Sequence, residues 1–200
     1  MKPGFIRRVF RHLFVDKSYQ DYYSDDSWTQ SYQDGYDLDV DNQDGRYGVL
    51  LALLERYASD GPVLDAGCGD GVLASRIRRA SDVSLVGIDY AESAIQIADT
   101  RNLENCKFQT SDFRAFKSDE AFSVIIFNES IYYVEGATDL LMSMQDMLKT
   151  DGVFLISMFE TRVTRRIWKD IGKHFRTLQG VRVKDEGTGR VWHVRVLRSK

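Results

Sequence analysis

Three glycines separated by single residues follow a short apolar run, and this turn is the feature of the sequence that most clearly indicates chemistry. The run is Val63–Ala66, with Asp65 inside it, and the turn contains Gly67, Gly69 and Gly71. Because glycine has no Cβ, it lets the backbone turn sharply and lie close to a ligand. The apolar run predicts a strand, and the segment after the turn predicts a helix. A strand, a glycine-rich turn and a helix in this order indicate a site for a nucleoside-containing cofactor.

Acidic residues follow the next two predicted strands. Asp89 stands before Tyr90 at the end of the second strand, and Asp112 stands before Phe113 after the third. The carboxyl ends of parallel strands meet at one edge of a sheet, where ligands bind. We expect Asp89 to accept hydrogen bonds from ribose hydroxyls, and Asp112 to accept one from an adenine amino group while Phe113 packs on the base. The alternative for Asp89 is a cap on the helix beginning at Ala91.

The spacing of the glycines favours one class of cofactor over another. A nicotinamide-binding turn usually reads G-x-G-x-x-G, so that the pyrophosphate rests on the N-terminus of the following helix. This turn reads G-x-G-x-G, and Asp65 lies two residues before its first glycine. A carboxylate at that position suits a cationic ligand and repels a pyrophosphate. A nicotinamide-dependent oxidoreductase is therefore disfavoured.

The predicted elements alternate between strands and helices, which indicates an α/β fold with helices on both faces of a mostly parallel sheet. The strands are predicted over residues 63–66, 84–88, 107–109, 122–127, 153–159, 181–184 and 191–197. Helical apolar faces cover residues 47–57, 72–80, 91–103, 140–148 and 163–178. The last two strands are joined by a glycine-containing loop, so they are expected to form an antiparallel hairpin.

Residues 1–44 differ in character from residues 45–200, which we predict to form one domain. Residues 5–14 place apolar residues at helical spacing with basic residues between them. This pattern predicts an amphipathic helix that packs on the protein or lies on an anionic membrane surface. Residues 18–45 contain eight Asp and six aromatic residues but no Lys or Arg. Such a segment beside a ligand site is expected to form a lid.

The glycine turn also matches a known signature. Class I S-adenosylmethionine-dependent methyltransferases carry [D/E]-x-G-x-G-x-G after their first strand, and Asp65–Gly71 resembles it. The resemblance implies a three-layer Rossmann-like fold, a seven-stranded sheet in the order 3-2-1-4-5-7-6, and S-adenosylmethionine as cofactor. It makes Asp89 the ribose ligand and Asp112 the adenine contact. The cofactor-binding set that it implies is Asp65, Gly67, Cys68, Gly69, Gly71, Asp89, Tyr90, Asp112, Phe113 and Asn128.

The segment after the fourth predicted strand carries the candidate catalytic and substrate residues. Glu129, Tyr132 and Tyr133 lie within Asn128–Val134, which resembles the small NodS-like methyltransferases that modify saccharide-derived acceptors. The likeness implies that the tyrosines line a pocket for a saccharide or glycolipid hydroxyl or amine. A hydroxyl acceptor benefits from a general base, and Glu129 is the first candidate, with His193 as the second. Alternatively, Glu129 contacts the cofactor and the tyrosines serve in packing.

Composition limits the other classes of function. The two cysteines, Cys68 and Cys106, have no CxxC partner, so neither a disulfide framework nor a zinc site is expected, and we predict no metal. No apolar run approaches the length of roughly 18 residues that a membrane span requires, and the N-terminus lacks a secretory pattern. The sequence is therefore expected to be that of a cytoplasmic protein.

Charge is distributed unevenly along a chain whose net charge is only −3. Residues 161–200 contain twelve Lys and Arg but three acidic residues. This basic region is either solvated surface or a face toward an anionic partner. The fourth strand is not followed by an Asn-Pro-Pro-Tyr-like base clamp, so we expect no nucleic-acid partner.

The sequence therefore predicts a methyltransferase that acts on a small molecule; its oligomeric state is not predicted. A non-catalytic S-adenosylmethionine-binding partner subunit and a nicotinamide-dependent oxidoreductase are the alternatives.

Overall fold

The computed structural model describes residues 44–200 of the chain. Its helices are α1 (Asp44–Tyr57), α2 (Val72–Ala80), α3 (Glu92–Thr100), α4 (Ala137–Met144) and α5 (Arg162–His174). Its strands are β1 (Val63–Ala66), β2 (Leu85–Asp89), β3 (Cys106–Thr110), β4 (Phe122–Asn128), β5 (Leu148–Phe159), β6 (Phe175–Lys184) and β7 (Val191–Ser199), and short 3-10 turns cover Ile131–Tyr133 and Gln145–Met147. The helix predicted over residues 5–14 lies outside the described residues, as does nearly all of the lid predicted over residues 18–45.

The strands of the described region form one sheet in the order β3-β2-β1-β4-β5-β7-β6. The strands from β3 to β5 pair in parallel, whereas β7 pairs antiparallel with both β5 and β6. This arrangement confirms the α/β class, the implied strand order and the C-terminal hairpin. The chain order reverses beside β1, because β2 lies on one side of it and β4 on the other. Ligands of such sheets bind at the carboxyl ends of the strands at this reversal.

Helices cover both faces of the sheet. One face packs against α1 and α2, and the other packs against α4 and α5; α3 packs against β2 and β3. The central strand β4 is buried along almost its whole length. Its side chains divide between the two faces, with Phe122, Ile125 and Phe127 in one core and Val124 and Ile126 in the other. Within the described region, no helix is both long enough and apolar enough to cross a membrane.

The largest differences from the predicted element boundaries lie at the start of β5 and at the junction of α5 and β6. β5 begins at Leu148, which pairs with Phe122, rather than at residue 153. The helix predicted up to residue 178 ends at His174, and β6 begins with Phe175 in extended conformation. The ring of Phe175 packs edge-on against Phe154, with centroids 5.6 Å apart. Burial of this ring in the core therefore outweighs the helical periodicity.

A reciprocal cap at the start of α5 joins this helix to the end of β5. The Thr161 hydroxyl accepts a hydrogen bond from the Thr164 N–H at 3.0 Å, and the Thr164 hydroxyl accepts one from the Thr161 N–H at 2.9 Å. The Thr164 hydroxyl also donates to the Phe159 carbonyl at 2.6 Å. Both threonines are buried. The pair therefore satisfies backbone groups that water cannot reach.

We expect Thr161→Ala to lower the free energy of unfolding by about 1–2 kcal/mol, because the N–H of Thr164 loses its acceptor in a buried setting. Thr161→Ser keeps the hydroxyl and is expected to lose less. Urea denaturation of both variants measures the difference. Equal losses in the two variants would show that the methyl group, and not the cap, stabilises this end of α5.

Candidate cofactor-binding and active site

The turn after β1 has a left-handed backbone at each of its three glycines. The φ angles of Gly67, Gly69 and Gly71 are +82°, +54° and +80°, a region that side chains bearing a Cβ disfavour. The N–H groups of Gly67 and Cys68 both donate to the Ile88 carbonyl, at 2.8 and 3.0 Å. The turn is therefore held against the end of β2.

Close contact with Ser130 adds a second reason for glycine at position 67. A Cβ there would lie 2.4 Å from the Ser130 Cβ. The Ser130 hydroxyl is buried and donates to the Ala66 carbonyl at 2.6 Å. Ser130 thus links the end of β1 to the segment after β4. Ser130 was not among the predicted site residues, and its position directly after Glu129 is the only sign of its role in the sequence.

Asp65 is a buried carboxyl group without a hydrogen-bond partner. Its side chain is 1% exposed, and neither of its oxygens contacts a donor. Burial, and then the nearby charge of Asp89, raise the pKa of Asp65 to about 7. An unpaired buried carboxylate is unfavourable, and a cation brought close to it would favour its ionised form. The residues present therefore fit a ligand that carries positive charge near the end of β1.

Asp89 stabilises the turn and the start of α3 together. One of its oxygens accepts a hydrogen bond from the Gly69 N–H at 2.9 Å, and the other accepts one from the Ala91 N–H at 3.0 Å. The N-cap of α3 is Ala91, and no side chain caps the helix, so Asp89 closes a turn just before α3 and is not the helix cap considered as the alternative. The carboxylate is partly exposed at the carboxyl end of β2, and its role as the ribose ligand stays a prediction.

The residues after β3 divide between surface and core. Asp112 is exposed, and its Oδ1 accepts from the N–H groups of Arg114 and Ala115 at 2.8 and 3.3 Å. The Phe113 ring is buried and packs edge-on against Phe127, with centroids 5.8 Å apart. Contact of Asp112 and Phe113 with adenine stays a prediction, as does the role of the partly exposed Tyr90.

The side chains of the turn other than glycine are each held in place. Burial, and then the charge of Asp65, raise the pKa of the Cys68 thiol well above its ordinary value. Asp70 forms a salt bridge of 2.7 Å with Arg101, which also donates to the Asp70 carbonyl at 2.5 Å. The turn is therefore anchored to the C-terminal end of α3.

Glu129 occupies a conformation that favours glycine, directly after β4. Its φ angle is +61°. Its carboxylate accepts hydrogen bonds from the Ser157 hydroxyl at 2.8 Å, the Tyr132 hydroxyl at 3.1 Å and the Phe159 N–H at 3.1 Å. Burial raises its pKa, while Arg46 and these three donors oppose the rise. Backbone strain that persists beside such a network is common at functional sites.

A buried arginine lies beside this network. Arg46 is 2% exposed, and its guanidinium donates to the side-chain oxygen of Asn128. The guanidinium also lies 4.6 Å from the ring centroid of Tyr47 and 5.8 Å from that of Trp192. Arg46 was not among the residues predicted from the sequence. Its signal was a position four residues before Leu50, on the apolar face of α1.

The remaining candidates take different positions. Tyr132 and Tyr133 are partly exposed, with ring centroids 4.6 Å apart, and Tyr132 contacts Glu129. His193 instead contacts Glu160, at 2.6 Å. The part of the chain that the structure describes contains no cluster of three or more His, Cys, Asp or Glu able to hold a metal ion. The structure thus places Glu129 with Tyr132, and His193 in a different cluster.

Comparison with known proteins identifies the family. A family profile described as a methyltransferase domain matches residues 58–189. The chain belongs to this methyltransferase-domain family. The match runs from the residue after α1 to the loop before β7, so it includes the glycine turn and the Glu129 network.

Individual relatives agree with this assignment. The malonyl-[acyl-carrier protein] O-methyltransferase of Bacillus cereus is 31% identical over 117 residues, which are 56% of this chain and 44% of that protein. The trans-aconitate 2-methyltransferase of an Enterobacter species is 31% identical over 109 residues, which are 53% of this chain and 43% of that protein. The chain therefore spans less than half the length of these two relatives.

The fold is similar to that of a solved methyltransferase. The N-methyltransferase NodS from Bradyrhizobium japonicum WM9, solved with S-adenosyl-L-homocysteine, has a TM-score of 0.66 and 18% identity. The similarity covers 96% of this chain and 97% of that chain. It confirms the Rossmann-like methyltransferase fold.

We expect Asp65→Asn to stabilise the protein at pH 8 by roughly 1–2 kcal/mol, since it removes a buried unpaired charge. Between pH 3.8, the ordinary pKa of Asp, and the folded-state pKa of about 7, the unfolded chain loses this proton and the folded chain keeps it. The contribution of Asp65 to the free energy of unfolding therefore falls as pH rises through this window.

Thermal unfolding of wild type and Asp65→Asn at pH 5 and pH 8 measures this effect, and the exposed Asp99→Asn is the matched control. The Tm of Asp65→Asn should exceed that of wild type by more at pH 8 than at pH 5. A difference that does not change with pH would contradict the burial of an unpaired charge at Asp65.

Proposed function

We propose that this chain is an S-adenosylmethionine-dependent methyltransferase that acts on a small-molecule acceptor. The observation that carries the proposal is the buried, unpartnered carboxyl group of Asp65 beside a glycine turn at the reversal point of the sheet. A cationic nucleoside ligand satisfies both features, because the turn admits close backbone contact and the carboxyl group favours positive charge. A pyrophosphate-containing cofactor brings negative charge to the same position.

In this proposal, residues at the ends of three strands bind different parts of the cofactor. Asp65 and the turn after β1 would meet its charged part, Asp89 after β2 its ribose, and Asp112 after β3 its base. When bound, S-adenosylmethionine supplies a methyl group already activated by a sulfonium. The protein therefore needs mainly to orient an acceptor toward that group and to exclude water.

Glu129 is the residue we propose to act on the acceptor. Three donors fix the orientation of its carboxylate, and burial raises its pKa. A fixed carboxylate of raised pKa is a better proton acceptor than a solvated one. Tyr132, which donates to Glu129, and Tyr133 would offer aromatic faces and hydroxyls to the acceptor.

The acceptor class that we propose is a saccharide or glycolipid bearing a hydroxyl or amine. The paired tyrosine rings support it, because sugar rings pack on aromatic faces. The relatives named above act on malonyl-[acyl-carrier protein] and trans-aconitate, and both names describe carboxylic acids. A panel of acceptors therefore needs to include saccharides, glycolipids and small carboxylic acids.

Ligand-dependent thermal stability tests the cofactor. We expect S-adenosylhomocysteine to raise the Tm and NAD to leave it unchanged, because a ligand of the native state stabilises it by mass action. Asp89→Ala should weaken S-adenosylhomocysteine binding by roughly 1.5–3 kcal/mol. Calorimetry measures that loss, and Asp99→Ala is the control. Stabilisation by NAD, and not by S-adenosylhomocysteine, would reverse the assignment of the cofactor.

Turnover of the panel tests Glu129. We expect Glu129→Gln to lower kcat by about 10²–10⁴-fold, the range for loss of a general base, with little change in cofactor affinity. Glu135→Gln, an exposed carboxylate in the same segment, is the matched control. Release of S-adenosylhomocysteine measures the rate. Full activity of Glu129→Gln would remove proton transfer to Glu129 from the mechanism and leave positioning alone.

A further inference from the structure

A cleft outside the Glu129 network lies between α5 and the β6–β7 hairpin. Its volume is about 290 Å³, and it is lined by Glu160, Arg165, Trp168, His193 and Arg195. Glu160 directly follows β5, and His193 pairs with Met158 near the end of β5. The cleft therefore opens near the sheet edge that carries Glu129. β5 separates β4 from β7, so the two strands lie two spacings, or roughly 10 Å, apart.

The charge of this cleft is positive. The Glu160 carboxylate contacts the His193 Nε2 at 2.6 Å, Arg165 at 3.7 Å and Arg182 at 3.9 Å. One carboxylate thus meets two guanidinium groups and an imidazole. Arg195 adds a further cation to the same wall. The cleft therefore carries more positive charge than its single acidic residue compensates, which favours an anionic ligand.

Arg195 has no anionic partner among residues 45–200. Its guanidinium carbon lies 4.4 Å from the ring centroid of Trp168, and the side chain is partly buried. Burial lowers its pKa, and no neighbouring carboxylate opposes that shift. A guanidinium has five N–H donors and matches carboxylate or phosphate oxygens in pairs. Its hydrogen-bonding capacity is therefore available to a ligand.

Trp168 also lines the cleft and carries an unsatisfied donor. The residue is 5% exposed, and its indole Nε1 is buried without a hydrogen-bond partner. Most buried polar groups have such a partner. The Trp168 ring therefore lines the cleft beneath the Arg195 guanidinium, so an oxyanion bound by Arg195 would lie close to this indole and alter the environment of its N–H.

We propose that this cleft binds a terminal oxyanion, a carboxylate or phosphate, on the methyl acceptor, with Arg195 as its principal ligand. The inference rests on the proposed function, because it makes the cleft the specificity subsite of that reaction. It places the anionic group of the acceptor beside β7, two strand spacings or roughly 10 Å across the sheet from β4, the strand that Glu129 follows. It also gives a role to part of the basic C-terminal region.

Two simple anions test the cleft without a known acceptor. Malonate and inorganic phosphate, titrated at constant ionic strength, should shift the indole N–H signal of Trp168 in ¹⁵N–¹H spectra, with Trp168→Phe providing the assignment. We expect Arg195→Met to weaken binding of the anions by about 10- to 100-fold, the range for hydrogen bonds to a charged group. The two anions distinguish a carboxylate from a phosphate preference.

The control variant is Arg176→Met, which removes the same charge from an exposed position of β6. Wild-type anion affinity in this control, together with weakened anion binding in Arg195→Met, would support anion binding by the cleft. Equal losses in the two variants, or no shift of the Trp168 signal, would overturn it.

Stabilisation by S-adenosylhomocysteine separates this proposal from the proposed function. The Tm increase should be the same in wild type and Arg195→Met, since Arg195 lies outside the glycine turn. Absence of the increase from both proteins, with anion binding intact, would overturn the proposed function and the link to an acceptor. A Tm increase with S-adenosylhomocysteine but no anion binding would overturn only the proposed role of the cleft.

Discussion

An unpaired carboxyl group in the centre of the sheet is the constraint around which this site is organised. Asp65 lies one residue before the end of β1, where solvent is excluded, and the turn that follows offers it no donor. The backbone N–H groups of that turn serve other acceptors, the Ile88 carbonyl and the Asp89 carboxylate. Folding therefore leaves one buried carboxyl group without a donor at the reversal point of the sheet, at a cost in stability.

The other acidic residues at this edge differ from Asp65 in having donors. Asp89 and Asp112 each accept hydrogen bonds from backbone N–H groups, and Glu129 accepts from two hydroxyls and an N–H. These contacts fix the side chains before any ligand arrives. Preorganisation of this kind reduces the ordering that binding would otherwise require. One sheet edge thus combines three held carboxylates with a fourth that lacks a partner.

Sequence patterns identified the features that depend on local chemistry. The glycines were recognisable because left-handed φ angles exclude most other residues, and β4 because an apolar run interrupted only by Ser123 fits a strand buried on both faces. Arg46 and Glu129 were harder to interpret. The burial of Arg46 depends on its contact with Asn128, 82 positions away, and the positive φ of Glu129 depends on partners from β5. Contacts between residues distant in sequence produce no periodic pattern, so neither could be predicted. Phe175 was assigned to a helix for the same reason, because its contact with Phe154 is also distant in sequence.

The thiol inside the glycine turn has a practical consequence. Cys68 is buried with a strongly raised pKa, whereas Cys106 is partly accessible at the start of β3. The chain contains no other cysteine. An alkylating reagent can reach Cys68 only when the turn opens, because the reactive thiolate form is suppressed in the closed turn. The alkylation rate of Cys68 therefore measures how often this turn opens. Cys106 in the same chain serves as an internal reference for reagent activity.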